Sequence, residues 1–264
     1  MSPSEQRVRI AADCHLHMYP SYPLAGTLAG LIRRLDALTP RTPALRLGLV
    51  TDRQGESFFK NTSRHTTDPF VIEAGPEDGA LCVCHDGQVM VTLIAGRQIN
   101  TAERIEVLSL AAAPDIPDGL PAREVIRRIT DAGGMPVLPW APGKWIGRRG
   151  ALIHELVGEA QPGQLLLGDS AIRPCCFRLP AAMRLGIARG LGLIAGSDPL
   201  PFPGDERWMG RYGIVIDVDF DATRPVTGMR RILAGLRGAE HIAGRRGSPA
   251  DTLFRMFAYR LRSR

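Results

Sequence analysis

With 264 residues, of which 44% are hydrophobic and 23% charged, the chain has the composition of a globular protein, which excludes an intrinsically disordered one. The net charge of +6 permits an anionic partner, such as a phosphate ester or a nucleic acid, without requiring one. Residues 1–9 are polar and no run of about 18 apolar residues occurs, so neither a signal peptide nor a membrane span is expected.

The cysteines predict a reducing environment. Five is an odd number, and a chain of this size does not depend on disulfides, so we expect free thiols and a cytoplasmic location. Neither Cys82 with Cys84 nor the adjacent Cys175 and Cys176 has the C-x-x-C spacing of a zinc or redox site. We therefore predict that all five are small buried residues.

In chain order, apolar runs typical of strands alternate with segments whose apolar residues recur at helical spacing. The predicted strands are Val8–Ala12, Leu45–Val50, Ile105–Leu110, Met135–Leu138, Leu165–Leu167, Leu193–Ala195 and Gly213–Val218. The predicted helices are Leu24–Leu38, Pro121–Ala132, Arg149–Val157, Pro180–Arg189 and Pro225–Leu236. This alternation indicates an α/β protein with a parallel sheet or barrel, and we expect residues 1–264 to form one domain.

Three segments depart from the alternation. The apolar runs Leu81–Val83 and Val89–Ala95 flank His85-Asp86-Gly87, and Asp-Gly between two such runs predicts an antiparallel hairpin. Residues 61–67 are polar, and we predict an exposed loop there. A peripheral helix on the outside of the domain is predicted at about residues 249–263.

The first predicted strand leads into Asp13-Cys14-His15-Leu16-His17. Alternate residues of an extended segment point the same way, so the two imidazoles can converge on one metal ion. Asp13 shares their side and can orient a ligand. The His-x-His pattern by itself is equally compatible with two ordinary histidines.

Further polar segments follow other strands, namely Thr51-Asp52-Arg53, Gly96-Arg97-Gln98 and Gly196-Ser197-Asp198. Active sites of barrels and open α/β sheets assemble at strand ends. We therefore expect these segments to meet the first one. The candidate site residues that they contribute are Asp52, Arg53, Arg97, Gln98 and Asp198.

In their order and spacing these segments resemble the PHP (polymerase and histidinol phosphatase) family of metal-dependent phosphoesterases. Chains of that family open with Asp-x-His-x-His, continue through Thr-Asp-His and close on Gly-Ser-Asp-x-His. The resemblance runs from Val8 to Val218 and includes Ala132–Leu138, which is similar to the family's lead-in to His-Pro. It implies a distorted seven-stranded (β/α) barrel, related to the TIM barrel, with up to three divalent metals at one end.

The resemblance also implies a reduced ligand set. His15, His17 and Asp198 stand where the family has ligands for one metal, and Gln98 occupies the place of a bridging glutamate. Where the family has further histidines, this chain has Arg53, Leu108, Trp140 and Leu200. We expect at most one divalent ion, which can be Zn, Mn or Fe, with water completing its shell.

The arginines leave two alternatives open. Arg53 and Arg97 can bind a phosphate or carboxylate in a bidentate way, or they can pair with Asp52 or Asp198. If Arg53 pairs with Asp198, its charge replaces the metal and no cofactor is bound.

Two functions follow as hypotheses. In the first, the protein hydrolyses a small anionic ester, most simply a phosphoester, with Asp52 or Asp13 accepting the proton of water and Arg53 or Arg97 neutralising charge. In the second, it is an inactive barrel that binds an anionic, phosphorylated molecule or a protein partner. Nucleic-acid processing is disfavoured, because basic and aromatic residues do not interleave as on a nucleic-acid platform.

Overall fold

The computed structural model describes residues 5–56, 58–62 and 64–262. The strands in these ranges are β1 (Gln6–Leu16), β2 (Leu45–Asp52), β3 (Arg64–Thr67), β4 (Phe70–Ala74), β5 (Ala80–His85), β6 (Gln88–Asn100), β7 (Glu106–Leu110), β8 (Met135–Pro139), β9 (Leu166–Ser170), β10 (Leu193–Gly196), β11 (Tyr212–Phe220) and β12 (Ile242–Gly244). The helices are α1 (Leu24–Leu38), α2 (Phe58–Asn61), α3 (Ala122–Asp131), α4 (Gly147–Glu159), α5 (Ala181–Ala188), α6 (Pro225–Gly235) and α7 (Pro249–Arg262). A 3₁₀ turn covers Asp205–Trp208.

Nine strands form one curved sheet in the order β10-β9-β8-β7-β6-β2-β1-β11-β12, and β5, β4 and β3 branch from β6. The pairs β1–β2, β2–β6, β8–β9 and β9–β10 are parallel. The strands β7 and β11 run antiparallel to their neighbours. The sheet is therefore mixed, and the prediction of a parallel sheet is wrong at these two strands. Between β6 and β7 the connection is too short for a crossover, which requires the antiparallel arrangement.

The two sides of the sheet meet where β10 approaches β1. The backbone N–H of Asp198 donates to the carbonyl oxygen of His15 at 2.9 Å. Gly196 allows this approach, because a Cβ atom there would lie 2.6 Å from the backbone nitrogen of His15. The sheet is consequently a nearly closed barrel.

The barrel interior is filled by alternate apolar residues of its strands. They include Ile10, Ala12, Leu47, Leu49, Ile94, Val137, Leu166 and Ile194. Helix α6 packs on Phe220, which pairs with Gln6 at the start of β1. This helix closes one end of the barrel, so the open end is the one where β1 finishes.

All seven predicted strands and all six predicted longer helices are present, as is the hairpin, which consists of β5 and β6. The sheet nevertheless has twelve strands in the described ranges, because β3, β4 and β12 were not predicted. Residues 61–67 are not simply an exposed loop, since Arg64–Thr67 pair with β4 through their backbone. A polar edge strand of this kind carries no apolar pattern that could reveal it.

The C-terminal helix α7 is less peripheral than predicted. Arg255 is 1% exposed and forms a bidentate pair with Asp205, with Nε to Oδ1 at 2.9 Å and Nη2 to Oδ2 at 2.7 Å. Met256 and Tyr259, from the same helix, reach the open end of the barrel. The helix therefore forms part of the wall there.

Cys14, Cys82 and Cys84 are buried, but Cys175 and Cys176 are exposed, so the prediction of five buried thiols is wrong for these two. They lie in the loop after β9, where no strand carries them into the core. No helix of the described ranges is long and apolar enough to cross a bilayer.

Candidate metal centre and its cavity

His15 and His17 at the end of β1 meet Asp198, which follows β10. The Nε2 atoms of the two imidazoles are 3.1 Å apart. Oδ1 of Asp198 lies 3.7 Å from Nε2 of His15 and 3.8 Å from Nε2 of His17. Among the described residues, these three form the one group of histidine, cysteine and acidic side chains close enough to hold an ion.

The dimensions of this triangle fit a divalent metal. A point about 2.1 Å from all three atoms lies at its centre, which is the usual length of a zinc bond to imidazole nitrogen or carboxylate oxygen. Without a metal, Nε2 of His15 faces both Nε2 of His17 and Oε1 of Gln98, at 3.1 and 3.0 Å. A ring nitrogen carries at most one hydrogen, so Nε2 of His15 cannot make full hydrogen bonds to both of these neighbours. A metal ion, by contrast, can bind the lone pairs of the two Nε2 atoms.

His17 is in the protonation state that metal binding needs. Burial, together with the charges of His15 and Arg53, lowers the pKa of His17 well below its ordinary value. Its ring is therefore neutral at neutral pH, as a metal ligand must be. Within the described residues Nδ1 of His17 is enclosed and makes no hydrogen bond, although the backbone of Thr51 approaches the ring.

Asp198 is oriented by its backbone and by one hydroxyl. Its φ of 48° lies in the left-handed region, which aspartate adopts more readily than most residues. The hydroxyl of Ser170 donates to Oδ2 at 3.1 Å, so that Oδ1 is left facing the imidazoles. Support of this kind from a second layer is typical of metal-binding carboxylates.

Asp13 joins strands beneath the centre and does not reach the cavity. It is fully buried, and its carboxylate accepts backbone N–H groups of His15 at 3.2 Å, Ser197 at 2.9 Å and Gly210 at 2.7 Å. Burial raises the pKa of Asp13 to about 6, against the effect of these hydrogen bonds. The geometry suits the predicted orienting role and not the acceptance of a proton from a bound water.

A cavity of about 200 Å³ opens in front of the centre. Besides His17 and Asp198, its lining includes Tyr19, Arg53, Gln98, Glu106, Lys144, Met256 and Tyr259. Oε1 of Glu106 accepts from Nζ of Lys144 at 2.5 Å and from Nε2 of Gln98 at 3.1 Å. Gln98 therefore links the candidate metal ligand His15 to an ion pair in the cavity wall.

Arg53 lines the cavity but does not replace a metal. Its guanidinium donates to Oε1 of Glu56 through Nε at 2.8 Å and Nη2 at 2.6 Å, and it lies over the ring of Tyr19 at 4.9 Å. Glu56, three residues away, is thus the partner of Arg53 in the structure. The alternative pairing of Arg53 with Asp198 is not formed. Nη1 takes part in neither of the bonds to Glu56.

Asp52 and Arg97 are not brought into the cavity. Arg97 neighbours Gln98 on β6, and alternate residues of a strand face opposite sides, so the two side chains diverge. Asp52 lies on β2, directly opposite Arg97 in the register of β2 and β6. Its Oδ2 accepts the backbone N–H of Phe59 at 3.4 Å. Burial raises the pKa of Asp52. The expected positions of both residues at the open end are wrong, because the parity of β2 and β6 turns them away.

Sequence reasoning assigned no role in the site to Glu106 or Tyr259. Glu106 begins β7, and its position at a strand end is the signal that points to it. Tyr259 lies on α7, and no local pattern indicated that this helix crosses the open end.

Comparison with known proteins adds a likeness of fold. No family model matches the sequence, and a search of curated proteins found no match. Among solved structures, PsfC from Pseudomonas syringae has 14% identity and a TM-score of 0.51, with 96% of this chain and 97% of that chain covered. The lesion-specific endonuclease PfuEndoQ from Pyrococcus furiosus has 13% identity and a TM-score of 0.52, with 87% of this chain covered. The match spans 57% of the endonuclease chain, so just over half of that protein is compared. At these identities, the chain shares with both proteins a mixed α/β fold built on a nearly closed, barrel-like sheet.

Proposed function

We propose that the protein is a PHP-like, metal-dependent hydrolase that cleaves a small anionic ester, a phosphoester, with at most one bound divalent ion. The observation that carries this proposal is the triangle of Nε2 of His15, Nε2 of His17 and Oδ1 of Asp198 at the end of a cavity. Two imidazoles and a carboxylate suit Zn, Mn or Fe. Such an ion, when bound with an open position, lowers the pKa of its water.

The limit of one ion follows from the residues around the triangle. A second ion needs an anionic bridge and ligands of its own, but Gln98 is neutral and Leu108 carries no lone pair. The amino group of Lys144 lies in the same wall, 2.5 Å from Glu106, and supplies a positive charge there instead.

The cavity wall contains groups for the ester and for a proton. Lys144 and Nη1 of Arg53 can bind phosphate oxygens. Two carboxylates line the cavity among the described residues, and because Asp198 belongs to the metal triangle, Glu106 takes the role of proton acceptor that the sequence assigned to Asp13 or Asp52. In the reaction, a water oxygen bonds to phosphorus, the ester P–O bond breaks, and the released alcohol gains a proton.

The structural neighbours support the reaction class without fixing it. One of them is an endonuclease, which makes ester hydrolysis a reasonable reaction for this fold. The cavity of about 200 Å³ favours a small molecule over a nucleic acid duplex as the substrate.

An inactive barrel that binds an anionic ligand or a protein partner is the second candidate. One observation favours it: both cations of the cavity are already paired, Lys144 with Glu106 and Arg53 with Glu56. Such pairs position a bound anion but weaken the neutralisation of charge that develops during hydrolysis.

Elemental analysis of the purified protein, together with a phosphomonoester and phosphodiester screen, tests the proposal. We expect no more than one Zn, Mn or Fe per chain and metal-dependent release of phosphate. In His17→Ala, metal content and hydrolysis should both be lost, because one imidazole of three ligands is removed. His154→Ala, at an exposed position on α4, is the matched control and should retain both.

Three results would count against parts of the proposal. Two or three ions per chain would contradict the limit of one ion. Unchanged metal content in His17→Ala would contradict the ligand set. Metal binding without hydrolysis of any ester would favour the binding protein.

A further inference from the structure

A second cavity, of about 370 Å³, lies beside the candidate metal cavity and shares Tyr19 with it. Its other walls are mainly apolar, with Met18, Tyr22, Leu24 and Phe58 among them. Ligand pockets are clefts of a few hundred Å³ that are lined predominantly by apolar and aromatic side chains, and this cavity matches both features. The cavity therefore has the character of a binding pocket for an apolar group.

Tyr19 connects this pocket to the metal centre. Its ring stacks on the ring of His17, with the two centroids 5.3 Å apart. It also meets the ring of Tyr22 edge-on, with centroids 5.4 Å apart. Tyr22 is held in turn by its hydroxyl, which donates to the carbonyl oxygen of Leu200 at 2.6 Å. Only the thickness of one aromatic ring thus separates the apolar pocket from a proposed metal ligand.

The boundary between the two cavities also carries a fixed charge pair. Arg53 lines the metal cavity, while its partner Glu56 lines the apolar pocket. Because Nε and Nη2 are both bonded to Glu56, the guanidinium is held in place over Tyr19. Tyr19 and the Arg53–Glu56 pair thus form the shared boundary of the two cavities, so an anion bound near Nη1 of Arg53 would lie beside the apolar pocket.

We infer that the apolar pocket binds the organic group of the ester and that this group carries an aromatic ring. The inference rests on the proposed function and deepens it: the substrate class is an aryl or ring-bearing phosphoester, and not a polar one such as glycerol phosphate. The aromatic walls contact a ring through stacked and edge-on arrangements, whereas a polyol would find hydrogen-bonding side chains at Glu56, Asn61 and Thr62 but not on these walls.

Binding of two phosphonates that cannot be hydrolysed tests the pocket directly. Calorimetry on the zinc-supplied full chain should give phenylphosphonate an affinity at least about tenfold above that of methylphosphonate, because only the phenyl ring reaches the apolar walls. Phe58→Ala should remove most of this difference. Leu24→Trp, which fills the pocket, should remove it as well while leaving methylphosphonate binding intact. Phe177→Ala, which changes an exposed phenylalanine outside both cavities, is the matched control.

Hydrolysis of phenyl phosphate and glycerol phosphate provides the second readout. We expect kcat/KM to favour phenyl phosphate about tenfold in the wild-type protein and much less in both pocket variants. Equal affinities for the two phosphonates, or a preference that survives in both Phe58→Ala and Leu24→Trp, would overturn the inference even if both esters were cleaved. A phenyl preference in binding without any hydrolysis would uphold the pocket and count against the proposed function.

Discussion

Gln98 presents its amide oxygen to His15, with Oε1 3.0 Å from Nε2 of the imidazole. Its amide nitrogen donates to Glu106 on the other side, at 3.1 Å. The amide is therefore hydrogen-bonded on both sides, to an imidazole of the candidate metal centre and to the carboxylate that pairs with Lys144. A negative charge introduced at position 98 should therefore act on both His15 and Glu106.

Gln98→Glu should have opposite effects on the two states of the protein. Without metal, the new carboxylate faces Glu106 and loses the hydrogen bond to it, so the thermal midpoint should fall. With zinc, the added anionic ligand should strengthen metal binding by about tenfold or more. Thermal unfolding with and without zinc, and zinc affinity by chelator competition, measure both effects. Gln98→Met, which adds no charge, should lower zinc affinity; a gain in that variant would contradict the ligand role.

Asp198→Asn separates the charge of Asp198 from its backbone conformation. Asparagine tolerates a φ of 48° as aspartate does, so the fold should be retained. Metal affinity should fall by about tenfold or more, because the one carboxylate of the triangle is lost. Asp86→Asn, at a φ of 49° in the hairpin between β5 and β6, is the matched control and should keep full metal content. Equal metal content in the two variants would exclude Asp198 as a ligand.

Arg255→Ala should destabilise the protein strongly. The variant leaves Asp205, which is fully buried, without its bidentate partner, and removes the hydrogen bond from Nη2 to the carbonyl oxygen of Asp198. Breaking a buried pair in this way costs about 3–5 kcal/mol in the free energy of unfolding. Urea unfolding measures the loss. Arg260→Ala, at an exposed position on the same helix, should lose much less, and equal losses would contradict the anchoring role of Arg255.

Glu77 should make the stability of the barrel pH-dependent. Its carboxylate accepts the backbone N–H of Val226 at 2.7 Å and of Thr227 at 3.0 Å at the start of α6, as a capping side chain does. Burial acts to raise the pKa of Glu77, but the hydrogen bonds from Thr227 and Val226 outweigh it and lower the pKa. A lowered pKa in the folded state means that the stabilisation is complete above the ordinary glutamate pKa and is lost as the pH falls through the lowered value.

Urea unfolding of Glu77→Gln against the wild type checks this expectation. The wild type should be more stable by about 1 kcal/mol at pH 7, and the difference should shrink below about pH 4. Asp78→Asn, at the exposed neighbouring position, should show no such trend. A difference that grows towards low pH would have the wrong sign for a lowered pKa.

The sequence by itself determined the position of most regular elements, although not of β3, β4 and β12. The predicted bounds of α1, Leu24–Leu38, match the structure because its apolar residues recur at helical spacing along one buried face. The period of two in an extended strand likewise brought His15 and His17 to one side of β1. These are local consequences of backbone geometry, which acts on neighbouring residues.

Only the tertiary structure decided which distant side chains share the cavity. Glu106, Lys144 and Tyr259 come from β7, the loop after β8 and α7, and they meet because the sheet curves until β10 approaches β1. The direction in which the sheet curves also decides which face of β6 lines the cavity, and hence that Gln98 faces it and Arg97 does not. Contacts between residues far apart in the chain depend on sheet curvature and on the packing of whole elements, and local spacing contains neither.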